Sequence, residues 1–303
     1  MNINILHQQG DDDVARVYLG TFGQDQVVEF VDSLGGAASR DDKWVVIVSS
    51  MVGCPIDCKF CDAGRFYKGS LSTDEILAQV DHIVRKHAPS GEIYSKKFKV
   101  QFARMGEPAL NDSVIDAIKK IPEIYRAENY MPCISTVAPA GRERWFEEIL
   151  KINHELLHGN FQLQFSVHST DEKYRDYLIP SRKWSLEQIA EYGERFHIHG
   201  RKVTLNFAVG SDNPIDVNKL REIFSPQHFA IKITPLNPTL NAEEHDMINV
   251  FDKEMGNKLP VVKEMREAGF DVYVSIGDLR ENEIKSNCGQ ILMSYMEQVN
   301  REE

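Results

Sequence analysis

Short apolar runs alternate with segments of helical period from residue 44 almost to the C-terminus, and this alternation restricts the fold more than any other feature. WVVIVSS (44–50) reads as a buried strand. STDEILAQVDHIVRKHA (72–88) opens on a Ser/Thr cap with an acidic first turn, then spaces its apolar residues by three or four, so it reads as a helix. The pairing repeats as strand 96–105 and helix 111–121, strand 131–137 and helix 142–152, and strand 161–168 and helix 185–198. It continues as strand 201–209 and helix 216–224, then strand 228–237 and a long helix over about 243–268. A final strand at 271–277 and a terminal helix near 289–300 complete it. Such alternation builds βαβ units on a parallel sheet. The expected fold is therefore α/β: a partial (βα)6 barrel of the TIM type with a C-terminal strand–helix extension over residues 43–303, preceded by a small appendage over residues 1–42. In parallel barrels chemistry gathers at the C-terminal ends of the strands. That rule places the loop after strand 44–50, the segment Met105-Gly106-Glu107-Pro108, Ser135, Ser166, His168 and Asn237 around one mouth.

Three of the five cysteines lie in the first of those loops, as Cys54, Cys58 and Cys61 in VGCPIDCKFCDAG. An odd total with tight clustering makes a poor disulfide framework and favours a metal site. Structural zinc would ask for a fourth ligand, usually from a second Cys-x2-Cys pair, and no second pair occurs. Three thiolates on one short loop instead suit three irons of a 4Fe–4S cubane and leave the fourth iron open. An open iron can bind the amino and carboxylate groups of S-adenosylmethionine (SAM), and electron transfer then breaks a C–S bond to give a 5′-deoxyadenosyl radical. Phe60, between the last two cysteines, reads as a packing residue that shields the cluster. His168 reads as a packed or capping histidine rather than a proton shuttle. Cys133 reads as an inert core thiol in a strand, and Cys288 taken alone as a small buried hydrophobe.

Charge argues against one class of partner. The 303 residues carry a net charge of −11, and the first 42 hold only two arginines against eight acidic residues. Nucleic-acid binding rests on phosphate contacts from a basic face, so this balance lowers the expectation of a large RNA substrate. No apolar run of membrane-spanning length occurs, and the N-terminus MNINILHQQGDDD lacks a secretory pattern, so a cytoplasmic location is expected.

SSMVGCPIDCKFCDAG resembles the signature of the RlmN/Cfr family, the radical SAM adenine methylases of 23S rRNA, and the resemblance runs from about residue 43 to about 292. RMGEPALN (104–111) is similar to the family's GMGEPLLN, and CISTVAPAG (133–141) to its strand ending in Ser-Thr. FSVHSTDEKYRDYLIP (165–180), KITPLNP (232–238) and NCGQI (287–291) resemble its later motifs in the family's order. The resemblance implies that Gly106 and Glu107 meet the SAM ammonium, that Ser135 and Ser166 hydrogen-bond SAM, and that Asn237 meets its adenine edge. A carboxylate is the natural partner of an ammonium. It implies that Cys288 receives a methyl group from one SAM, and that a radical from a second SAM activates that methyl for addition to an sp2 carbon. It also implies an electron donor such as flavodoxin or ferredoxin.

Three departures redirect the substrate. The family uses a second cysteine seven residues before the first cluster ligand, as base and as resolver of the covalent adduct; Ile47 stands there and can do neither. The family's RNA-binding domain before the cysteine loop has only about 42 acidic residues as its counterpart here. Of the family's basic stretch before the carrier cysteine, only Arg280 keeps its charge in Gly277-Asp278-Leu279-Arg280. The expectation is a Cfr/RlmN-like methyltransferase acting on an sp2 carbon of a non-ribosomal small molecule, nucleotide or peptide. Three rivals stay open: the family's own RNA adenine methylation, SAM cleavage without methyl transfer, and a non-enzymatic iron–sulfur redox or regulatory protein.

Overall fold

The N-terminal residues, which carry no helix-period pattern, form three strands: β1 (Asn4–Gly10), β2 (Ala15–Thr21) and β3 (Val27–Ser33). They pair antiparallel in that order, and β3 pairs antiparallel with β4 (Trp44–Val48). The structure, a computed structural model, describes residues 2–23, 26–210, 213–247, 258–275 and 289–295. The chain divides into a unit of Met1–Pro55, Asp62–Ile134 and Gly277–Glu303 and a unit of Ile56–Cys61 and Ser135–Ile276.

In the first unit the chain leaves β4 through a two-stranded hairpin, β5 (Met51–Val52) with β6 (Gly69–Ser70), into α1 (Thr73–His87). Ser72 and Glu75 close a reciprocal capping box at the start of α1, satisfying two amides that the first turn cannot. The chain then runs through β7 (Phe98–Phe102), α2 (Ser113–Ile124) and β8 (Tyr130–Thr136), whose last two residues belong to the second unit. β4, β7 and β8 are parallel, with Val46 opposite Val100 and Val100 opposite Pro132. The parallel order places the C-terminal ends of β4 and β7 side by side, where the cysteine loop and the Gly106-Glu107-Pro108 loop begin.

The second unit carries α3 (Glu143–Lys151), continued by a short π-helical turn, then β9 (Gln162–Ser166), α4 (Glu172–Leu178) and α5 (Leu186–Phe196). β10 (Val203–Val209), α6 (Val217–Ile223), β11 (Phe229–Pro235), α7 (Leu240–Glu244), α8 (Pro260–Glu267) and β12 (Asp271–Val274) follow. β9, β10, β11 and β12 are parallel neighbours in that order. One face of this sheet, with Phe165, Leu205, Phe207, Ile231 and Ile233, is sealed. Phe165 meets the rings of Phe146, Trp184 and Tyr192 on the helical side. The alternate residues Ser166, Asn206 and Lys232 share the opposite, partly open face in register.

The expected α/β alternation is present, with two differences. Helix α4 lies inside the stretch 168–185, which the apolar pattern left unassigned. The long helix expected over 243–268 is not continuous: α7 ends at Glu244, Asp246 takes a positive φ of 54°, and α8 begins anew with Pro260 in its first turn. A left-handed residue ends a helix, and proline is favoured where one starts. Among the described residues no helix is long and apolar enough to cross a membrane.

Candidate active site

The cysteine loop leaves β5 through Gly53, whose φ of +72° and surroundings admit only glycine: a Cβ there would lie 2.3 Å from the carbonyl carbon of Phe66 and the nitrogen of Tyr67. Cys54 follows, its amide donating to the Ala63 carbonyl at 2.9 Å. The Ser49-Ser50 pair ahead of it is buried and tied to the neighbouring loop. Ser50 N donates to the Met105 carbonyl at 2.9 Å, and Met105 N donates to Ser49 Oγ at 3.1 Å. Gly106 also has a positive φ, and a Cβ on it would meet Ser50 Oγ at 2.6 Å and Met51 Cβ at 2.8 Å. Glu107 is therefore delivered beside the start of the cysteine loop. It is buried, and its Oε1 accepts the Ala109 amide at 3.0 Å, capping a short 3-10 turn over Pro108–Leu110. Asn111 braces the arrangement, donating to the carbonyls of Ser50 and Leu71 at 2.8 and 2.7 Å.

The second half of the loop is held by side chains the sequence reading did not single out. Asn241, at the start of α7, donates its amide to the Cys61 carbonyl at 2.8 Å and reaches the Cys58 carbonyl at 3.5 Å. Thr239 Oγ donates to the Phe60 carbonyl at 3.0 Å and also caps α7 by accepting from Ala242 N at 3.1 Å. Lys59 N donates to the Leu178 carbonyl at 3.0 Å, which gives α4 its place in the site. The Phe60 ring meets His168 edge-on at 4.8 Å between centroids. His168 is buried with a φ of +62°, and its Nδ1 accepts the Ala208 amide at 3.0 Å. Burial first, and then the charge of Arg175, push its pKa down to about 3, so it is a neutral acceptor at ordinary pH.

Of the remaining candidates, Ser135 Oγ accepts from Gln164 Nε2 at 3.0 Å, Ser166 lies opposite Asn206 at the end of β9, and Asn237 is exposed just beyond β11. Cys133 is buried in β8 opposite Gln101, and Ile47 is half-buried in β4 between Val31 and Gln101. Cys288, Asp278 and Arg280 lie outside the described residues.

Among the described residues, Asp12, Asp32 and His87 bring metal-binding side chains close together. Its charge is already met by protein. Asp32 takes Arg40, His87 and the Trp44 indole N–H, each at 2.8 Å, and Asp12 takes Arg16 at 3.0 Å and Lys86 at 3.4 Å. This network fastens the N-terminal strands to α1.

The arrangement has the donors an iron–sulfur loop needs: Cys54, Cys58 and Cys61 are half-buried thiols within eight residues, on a backbone pinned at both ends. The family model of the radical SAM superfamily matches residues 48–223. The chain belongs to the radical SAM superfamily. Its cofactors are therefore a 4Fe–4S cluster and SAM, and a superfamily member needs an electron donor. This radical SAM chain is 30% identical over 271 residues to the "Probable dual-specificity RNA methyltransferase RlmN" of Mycolicibacterium vanbaalenii, covering 82% of this chain and 67% of that one. The protein of the same name from Syntrophomonas wolfei is 26% identical over 303 residues, covering 96% and 80% respectively. Among solved structures, a radical SAM methyltransferase from Sphaerobacter thermophilus superposes with a TM-score of 0.70 at 21% identity, covering 96% of this chain and 81% of that one, which supports the partial-barrel fold.

Proposed function

We propose that this radical SAM enzyme is a methyltransferase that carries a methyl group on Cys288 and delivers it to an sp2 carbon of a non-ribosomal substrate. In this reading Cys54, Cys58 and Cys61 would hold the cluster, Gly106 and Glu107 would receive the SAM ammonium, and Ser135, Ser166 and Asn237 would orient the rest of SAM. The chemistry a cluster supplies there is one electron for SAM, whose C–S bond then breaks to give a 5′-deoxyadenosyl radical. Residues 1–42 are proposed as an appendage to a barrel and its extension over 43–303.

One observation carries the methyl-carrier reading. Gly289, the residue after Cys288, packs against the residues that follow Cys61: a Cβ on Gly289 would lie 2.9 Å from Asp62 Cβ and 3.0 Å from Ala63 N. The chain next to Cys288 is thus seated against the turn that leaves the cysteine loop. Ile47 at the family's resolving position, together with the acidic first 42 residues, supports a substrate other than ribosomal RNA.

The test is peptide mapping of the reconstituted protein after incubation with SAM and reductant. One methyl on Cys288 is expected, with 5′-deoxyadenosine released; SAM cleavage with Cys288 bare would sink the carrier role. The relatives named as RNA methyltransferases favour a second reading, RNA methylation, with adenine the base that the family resemblance implies. Tight RNA binding that weakens steeply with salt would favour it over the first.

A further inference from the structure

We propose that Glu29 is a positioning residue: a buried carboxylate that latches the segment carrying Cys288 into place. The proposal rests on the reading of Cys288 as the methyl carrier.

Glu29 sits in the middle of β3, in the run Val27-Val28-Glu29-Phe30-Val31, and is fully buried. A carboxylate in such a strand is unfavourable unless its charge and lone pairs are met. Here they are met by two separate parts of the first unit. Arg104 Nη2, also buried, lies 2.6 Å from Glu29 Oε2. The Gly289 amide donates to the same oxygen at 2.9 Å, and the Leu292 amide donates to Oε1 at 2.8 Å.

Those two amides open the helix that begins at Gln290. First-turn amides have no acceptor within their own helix. The acceptor comes from a strand 260 residues earlier in the chain. Gly289 is also held from the side: its φ is +88°, and Asp62 and Ala63 leave no room for a Cβ. The residue covalently next to Cys288 is therefore fixed by Glu29 on one side and by the turn after Cys61 on the other.

Glu29 is itself registered to the loop that bears Glu107. Ser49 Oγ donates to the Glu29 carbonyl at 2.5 Å and accepts the Met105 amide at 3.1 Å. Arg104 stands where the resembled GMGEP motif has glycine, so the ion-pair partner is a feature of this chain rather than of that motif. The appendage thereby has a task in the reaction: it supplies the acceptor that seats the carrier.

The experiment compares the full-length, cluster-loaded protein with Glu29→Gln, which keeps the shape and removes the charge. Two quantities are read: hydrogen exchange of peptides over 289–295, and methyl occupancy of Cys288 after incubation with SAM. Exchange at 289–295 is expected to quicken at least about tenfold while α5 stays protected, and occupancy to fall several-fold at unchanged iron content. Unchanged exchange would overturn the latch. Faster exchange with unchanged occupancy would overturn the positioning role. A bare Cys288 in the unmutated protein would overturn the carrier reading itself, and is told apart because it needs no variant. Should Glu29→Gln fail to hold iron, the double variant Glu29→Gln/Arg104→Met, which leaves no unpaired buried charge, is read in the same way.

Discussion

Replacing His168 with asparagine isolates a single titration. His168 is wholly buried, with a pKa of about 3 against an ordinary value of 6.5, lowered first by burial and then by Arg175. A base that is harder to protonate in the native state than in the unfolded chain stabilises the fold fully above about pH 6.5, and that stability is lost as pH falls towards about 3. At about 1.4 kcal/mol per unit, the whole loss is about 5 kcal/mol, of which about 2 kcal/mol falls between pH 8 and pH 5. Asparagine tolerates the positive φ, and its side-chain oxygen can accept the Ala208 amide that His168 Nδ1 now accepts at 3.0 Å. It cannot be protonated in this range. The lost edge contact with Phe60 lowers stability by a pH-independent amount of about 0.5–1.5 kcal/mol. Urea unfolding of the cluster-less protein from pH 8 to pH 5 should therefore show the unmutated chain losing about 2 kcal/mol more than His168→Asn. Parallel pH dependences for the two proteins would refute the assignment of His168 as a buried neutral acceptor.

Other substitutions test the loop and the substrate. Cys54→Ala, Cys58→Ala and Cys61→Ala should each abolish the cluster's absorbance and iron content, whereas Cys133→Ala, in a buried strand, should retain both. Asn241→Ala removes the donor to the Cys61 and Cys58 carbonyls. It should lower stability by about 1–2 kcal/mol and speed cluster loss in air several-fold, followed as bleaching of the loaded protein. Ile47→Cys places a thiol in β4 at the resembled family's resolving position, and ribosomal RNA methylation by this variant, measured by methyl transfer from labelled SAM, is expected to stay absent. Its gain would overturn the non-ribosomal reading.

The strands of the barrel were legible because a parallel strand is buried on both faces and reads as a continuous apolar run, as β4 does. The cysteine loop was legible because Cys54, Cys58 and Cys61 fall within eight residues of the chain. What escaped was everything set by partners distant in sequence. Glu29 is one acid inside Val-Val-Glu-Phe-Val; it breaks the pattern of the strand, and that break was the available signal of a buried partner. Asn241 and Thr239 look like ordinary turn residues until the fold brings them to the carbonyls of Cys61 and Phe60. The interruption near Asp246 was hidden because the flanking residues are good helix formers, and a left-handed backbone angle leaves little trace in composition.

Two departures from the resembled family meet at one place in the first unit. Ile47 lies in β4 opposite Gln101 of β7, and Arg104 follows β7 with its amide donating to the Val48 carbonyl at 3.2 Å. A hydrocarbon thus stands where the family keeps a thiol, and a guanidinium stands where its motif keeps a glycine. The first change removes a base and a disulfide partner from the end of β4. The second brings in a cation that is bound at once by Glu29. Restoring the thiol alone would leave the Arg104–Glu29 pair in place, with Glu29 still holding the amides of Gly289 and Leu292. With that pair unchanged, Ile47→Cys by itself is expected to leave the choice of substrate unaltered.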